Sequence, residues 1–304
     1  STARAFVSGA RVFAVLDMES AARDRPDAPP LTLTKGVLRF EHVNFAHRDG
    51  AGESLILQDV SFEVGPGQVL GIVGPPGSGK STIAHLIPRF YDVDAGSISI
   101  DPTGVRITID GQDIRDVTLD SLREAVGVVH QDAFLFTAAV DSNVAYGDLD
   151  AGQGRIVNAT ESAQLHDYVA GLPRGYDTLV GERGLTLSGG QRQRLSIARS
   201  VLLSPAIIAF DDSTASVDAA TEQRIHAALK DLTRERATII ISHRLSSLMH
   251  ADEILFIDGG HIIERGSHAA LLALGGRYKE LYDLQIEFGD DPNLGASAPA
   301  PVNG

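Results

Sequence analysis

Short, unbroken apolar runs alternate with stretches of helical spacing through the middle of the chain. Val69–Val73, Ala206–Phe210, Thr238–Ile241 and Ile254–Ile257 are each four or five residues of nearly continuous hydrophobicity. Runs of that length and character suit strands of a parallel sheet buried on both faces, with helices as the crossovers, so the expected core is α/β. Leu38 to Phe62 is different. Its residues alternate, as in VLRFEHVNF, around a polar turn at Arg48–Glu53, which predicts antiparallel strands packed beside that core. A second alternating stretch, Ile98–Asp101, a turn at Pro102–Gly104, and Ile107–Asp110, reads as an extra hairpin. From Ala3 to Met18 the apolar positions recur at helical spacing, then DRPDAPP (Asp24–Pro30) breaks into an extended linker. From Gly289 onward almost nothing is available to bury, which predicts disorder. The expected organisation is a connecting helix and linker over 1–30, a nucleotide-binding domain over 31–288 and a tail over 289–304.

Composition narrows the function classes. With 26 Lys+Arg against 40 Asp+Glu, the net charge of −14 repels phosphate backbones and anionic lipid surfaces, so no nucleic-acid partner is expected. The absence of cysteine excludes disulfides and thiolate metal sites. No stretch reaches the ~20 apolar residues of a membrane-spanning helix. The chain begins at Ser1 in the middle of a helical pattern, and is expected to be part of a longer protein.

The chemistry is concentrated in a few places. GPPGSGKS (Gly74–Ser81) follows the strand Val69–Val73 and precedes a helical pattern, the strand–loop–helix context in which glycines let backbone N–H groups converge on phosphates. Gly74, Gly77, Ser78, Gly79, Lys80, Ser81 and Thr82 would line the nucleotide site. Lys80 would reach the β- and γ-phosphates and Ser81 would ligate Mg²⁺. At AIIAFDD a buried strand ends in Asp211 and Asp212, where open α/β sheets place ligands. Asp211 would hold Mg²⁺. These two features point to a P-loop NTPase. A third, LSGGQ (Leu187–Gln191), opens a helix with a Ser and two Gly, and so presents another N–H-rich helix terminus without a lysine.

With LSGGQ the sequence resembles the ABC ATPase family over roughly Leu38 to Leu284. The resemblance implies a P-loop core with a mainly parallel sheet, an antiparallel β-subdomain and a helical signature subdomain, with ATP and Mg²⁺ as cofactors. It assigns Gln131 to the Q-loop, near Mg²⁺ and the attacking water and in contact with transmembrane domains. Asp218, in Ser216-Val217-Asp218, falls in the D-loop, and His243 matches the histidine that contacts the γ-phosphate. Thr178–Gly184 and SGARVFAVLD are similar to segments of exporters. Paired head to tail, two such domains sandwich each ATP between one phosphate loop and the other chain's signature, here Ser188, Gly189, Gly190 and Gln191. The implied location is the cytoplasmic face of a membrane.

Three departures from the family pattern stand out. The hydrolytic position, normally Glu, is Asp212. A carboxylate withdrawn by more than about 1 Å from its water can cost on the order of 10²-fold in rate. A weakly hydrolytic site beside an intact signature resembles one subunit of a heterodimeric exporter whose partner carries a competent Glu site; a homodimer that tolerates Asp is the plain alternative. His47 stands where exporters usually stack a Tyr on adenine. The hairpin near 98–109 has no assigned role. The leading function is an ATPase that powers solute export. Its alternatives are a regulatory ATP-binding module that completes a partner's site, and a soluble, non-transport ABC ATPase.

Overall fold

The computed structural model describes residues 22–49, 52–91, 106–130, 134–181, 187–211 and 233–288. The apolar runs form a six-stranded sheet: β3 (Val69–Val73), β6 (Val126–Val129), β7 (Ile207–Asp211), β8 (Ala237–Ile241), β9 (Glu253–Asp258) and β10 (His261–Gly266), in the order β10-β9-β3-β8-β7-β6. Every neighbouring pair is parallel except β9 with β10. Successive side chains point to opposite faces, so Ile207 and Ala209 enter one hydrophobic core while Ile208 and Phe210 enter another. This explains why the runs are continuous rather than alternating.

The alternating segment gives the second sheet, built from β1 (Leu38–Asp49), β2 (Gly52–Val64), β4 (Arg106–Ile109) and β5 (Gln112–Asp113), in the order β2-β1-β4-β5. The β1–β2 turn lies where it was expected, with Asp49 opposite Gly52. Only the second arm of the expected 98–109 hairpin is described. It pairs with β1, Leu38 opposite Ile109, and with β5 across a turn at Asp110–Gly111. Ile98–Gly104 lies outside the described residues, as do the connecting helix over 1–21 and the tail from 289.

Helix α1 (Lys80–Leu86) lies in the core between the two sheets, burying Ile83, Ala84 and Leu86 against Phe40, Leu57 and Ile72. Helix α2 (Leu119–Ala125) adds Leu122 to the same cluster. A second cluster gathers α3 (Val140–Val144), α4 (Gln153–Ser162), α5 (His166–Ala170) and α6 (Gly189–Leu202) on the other face of β6 and β7. A third joins α7 (His268–Leu274) and α8 (Arg277–Phe288) to Val73, Ile254 and Phe256.

The linker is held to this body. Asp24 Oδ1 accepts from Leu119 N at 2.8 Å, Pro29 O accepts from Thr118 N at 3.0 Å, and the fully buried Arg89 donates to Arg23 O at 3.1 Å.

Candidate nucleotide site

Strand β3 delivers the phosphate loop to the C-terminal edge of the sheet, between the ends of β8 and β9. The loop begins under a severe steric restriction. A Cβ on Gly74 would stand 1.9 Å from the carbonyl oxygen of Ile257 at the end of β9, so only glycine fits. Gly79 then caps α1. Lys80 is 5% exposed. Its Nζ donates to Gly74 O at 2.9 Å and Pro75 O at 2.8 Å, which fixes the ammonium at the mouth of the loop.

One residue on, Ser81 Oγ donates to Asp211 Oδ1 at 2.9 Å. Asp211, 7% exposed, closes β7 opposite Ile241 of β8, so strand register puts its carboxylate beside the loop. Loop and strand ends enclose a cleft of about 400 Å³ whose lining includes Gly77, Lys80, Ser81, Thr82, Asp211 and His243. Ser78 is buried under it. An ammonium, N–H groups at a helix start and a hydroxyl–carboxylate pair are the complement of a metal-bound polyphosphate.

His243 reaches the cleft from the loop after β8, and that loop is fixed from a distance. Gln285 of α8, 8% exposed, donates from Nε2 to His243 O at 2.6 Å and accepts from Leu245 N at 3.1 Å. Sequence reasoning passed over Gln285. Its signal was a lone amide at the fourth position of the helical stripe Tyr278, Leu281, Tyr282, Gln285.

The signature lies elsewhere in the molecule. Ser188 is the N-cap of α6, and with Gln191 it forms a reciprocal capping box, Gln191 N donating to Ser188 Oγ at 3.3 Å and Ser188 N to Gln191 Oε1 at 2.8 Å. Ser188 and Gln191 remain at the protein surface at this end, with Gly189 and Gly190 between them. None of the four lines the cleft. Farther along α6, Arg199 donates to Phe134 O at 2.8 Å and Asn143 O at 2.9 Å, and its guanidinium lies over the rings of Phe136 and Tyr146 at 5.4 and 5.6 Å. This ties the segment after Gln131 to the signature helix.

Of the other expected site residues, Gln131, Asp212 and Asp218 lie outside the described residues, and the backbone of His47 pairs with Ser54 while its side chain is outside them. Two further residues near Asp211 were missed. His85 follows Ser81 by one turn of α1, and His130 follows β6, whose Val129 pairs with Phe210. Burial pushes the His130 imidazole below its ordinary range; His85 pushes the same way and the Asp211 carboxylate opposes.

A family model described as ABC transporter matches residues 57–215. The chain is 46% identical over 280 residues to the ATP-binding cassette sub-family B member 6 of Mus musculus, covering 92% of this chain and 32% of that protein. It is 41% identical over 302 residues to the mitochondrial iron-sulfur clusters transporter ABCB7 of Oryzias latipes, covering 98% of this chain and 39% of that one. A solved structure of a bacterial Atm1-family ABC exporter with ATP bound superposes with a TM-score of 0.82 at 42% identity, over 93% of this chain and 47% of that one. The chain thus spans from about a third to about half of the length of these relatives.

Proposed function

This chain belongs to the ABC transporter family as its ATP-binding ATPase domain, and from that premise we propose that it is one motor unit of an exporter. It would work at the cytoplasmic face of a membrane and drive transmembrane domains reached through residues 1–30. The observation that carries the reading is the convergence of Lys80, Ser81, Asp211 and His243 on one cleft at the C-terminal ends of β3, β7 and β8. Arg23, Asp24 and Pro29 support the coupling, because the segment arriving from residue 21 is hydrogen-bonded to the cassette rather than loosely tethered. Phe134 and Tyr146, both exposed and adjoining the Q-loop position, offer apolar surface to a membrane-embedded partner. Among the described residues no helix is long and apolar enough to cross a membrane.

In this reading the loop N–H groups and Lys80 bind and orient the β- and γ-phosphates. Ser81 and Asp211 supply hard oxygen donors, already adjacent at 2.9 Å, and so fit Mg²⁺. The ion, when bound, neutralises charge on the phosphates. Gln131 and Asp212 position the attacking water, and His243, steadied by Gln285, meets the γ-phosphate. A second cassette supplies the opposing signature, while Ser188, Gly189, Gly190 and Gln191 of this chain, with Asp218 at the shared boundary, serve the partner's ATP.

Asp212 favours a weakly hydrolytic site here and a Glu-bearing partner. A mainly regulatory module that clamps ATP and completes the partner's site is the second reading, also motivated by Asp212. Asp212→Glu, assayed in the assembled pair with the partner's hydrolytic residue disabled, should raise ATP turnover by about tenfold or more. No gain, or brisk turnover by the wild-type domain as a homodimer, would remove both the degenerate-site and the regulatory readings.

A further inference from the structure

His85 and His130 have no part in the nucleotide chemistry, yet they stand beside its central carboxylate. Ligand atoms of His85, His130 and Asp211 all lie within 4.8 Å of one another. The placement follows from the fold. Ser81 and His85 are four residues apart on α1, hence on one helix face, and Ser81 already touches Asp211. The parallel register that sets Val129 opposite Phe210 carries His130 to the side of Asp211 on the next strand. The two imidazole rings are 5.5 Å apart at their centres. Phe90 stacks on His130 and flanks His85, giving the cluster an apolar wall.

We propose that His85, His130 and Asp211 form a binding site for a divalent transition-metal ion of the Zn²⁺ class, and that its occupation antagonises MgATP by taking Asp211 from Ser81. Two imidazole nitrogens and one carboxylate oxygen are a ligand set for zinc, nickel or copper, whereas Mg²⁺ takes oxygen. With bonds of roughly 2.0–2.2 Å, three ligands on a tetrahedral ion stand roughly 3.3 Å apart. In this proposal the two half-buried histidines, carried by α1 and by the segment after β6, make up the difference from the observed spacing. Both ions draw on the same carboxylate, so in this proposal they compete for it. This antagonism rests on Asp211 as the Mg²⁺-holding residue; the binding of the transition metal does not.

Metal-stripped 304-residue chain, titrated with Zn²⁺ against a chromophoric chelator, should bind one equivalent at this site, and His85→Asn/His130→Ser should weaken it at least tenfold while MgATP binding persists without zinc. Zinc affinity unchanged by the double substitution, or no binding by the wild type, overturns the site. Should the double variant lose MgATP binding as well, Cu²⁺ bound to the wild-type chain decides: electron paramagnetic resonance showing two coupled imidazole nitrogens supports the site, and fewer than two overturns it. At buffered free Zn²⁺ and excess Mg²⁺, the apparent Kd for ATP should rise at least fivefold for the wild type and not for the double variant. Zinc bound as described with ATP affinity unmoved overturns the antagonism and counts against the assignment of Asp211 to Mg²⁺, leaving the site itself supported.

Discussion

Two glycines of the phosphate loop offer a test in which the same substitution should give unequal results. Alanine at Gly74 places a Cβ 1.9 Å from Ile257 O, a backbone atom held in the β9 ladder beside β3. Cβ contacts essentially never fall below 3.0 Å, so loop or strand must give by more than 1 Å. Overpacking of that kind costs about 1–3 kcal/mol, and the backbone at φ 155 adds about 1–3 kcal/mol more. Alanine at Gly77 meets nothing within 4 Å and bears only the left-handed penalty at φ 77, about 1 kcal/mol. At about 2–4 °C per kcal/mol for a domain of this size, Gly74→Ala should lower Tm by about 10 °C and Gly77→Ala by about 3 °C. Thermal unfolding followed by circular dichroism measures both. A MgATP titration then asks whether the strained loop of Gly74→Ala has lost affinity, which we expect at tenfold or more. Equal loss of Tm in the two variants would refute the steric argument.

Gln285→Leu removes both bonds to the loop after β8 and strands the buried Leu245 N–H, at a cost of about 1–3 kcal/mol. In the assembled pair it should lower kcat by fivefold or more with MgATP Kd nearly unchanged; an equal effect on both would show that Gln285 acts on folding alone. Asp110 gives a pH signature. Its carboxylate accepts N–H bonds from Thr34, Lys35, Gly36 and Val37. Burial, the largest single influence, raises its pKa, but the four donors together outweigh it and hold Asp110 well below the ordinary value of 3.8. A depressed folded-state pKa means that the stabilisation is complete above about pH 4 and is lost as pH falls through the lower folded value. Asp110→Asn should therefore cost about 1 kcal/mol at pH 7, after allowance for solvent screening, and the gap to wild type should begin to narrow as pH falls below about 4; a gap constant from pH 7 to pH 2 would contradict this.

The parallel strands were legible because each is buried on both faces, leaving uninterrupted β-branched runs such as Thr238–Ile241. The phosphate loop was legible because its chemistry is contiguous in sequence. What was not legible depends on register between distant segments. β4 alternates like any strand, but that it pairs with β1 is decided by a contact between residues 38 and 109. His85 and His130 carry no shared local pattern; they meet only because β6 lies beside β7. Asp110 looks like an ordinary turn acid until residues 34–37 turn their N–H groups toward it.

The six-stranded sheet is the element on which all of these pieces pack. Helix α1, with Lys80 and Ser81, belongs to the core between the sheets; α6, with Ser188, belongs to the second cluster; α8, with Gln285, belongs to the third. Each layer therefore carries candidate functional side chains, and each packs on strands it shares with another layer: Ala209 and Phe210 of β7 face different cores, as do Ile72 and Val73 of β3. The clusters that hold α1 and α6 lie on opposite faces of β7, the strand that ends in Asp211. The interior is close-packed and resists continuous deformation. Under the proposed function, a push received near Phe134 would have a packed route along Arg199 and α6 to the strand that carries the carboxylate beside Ser81.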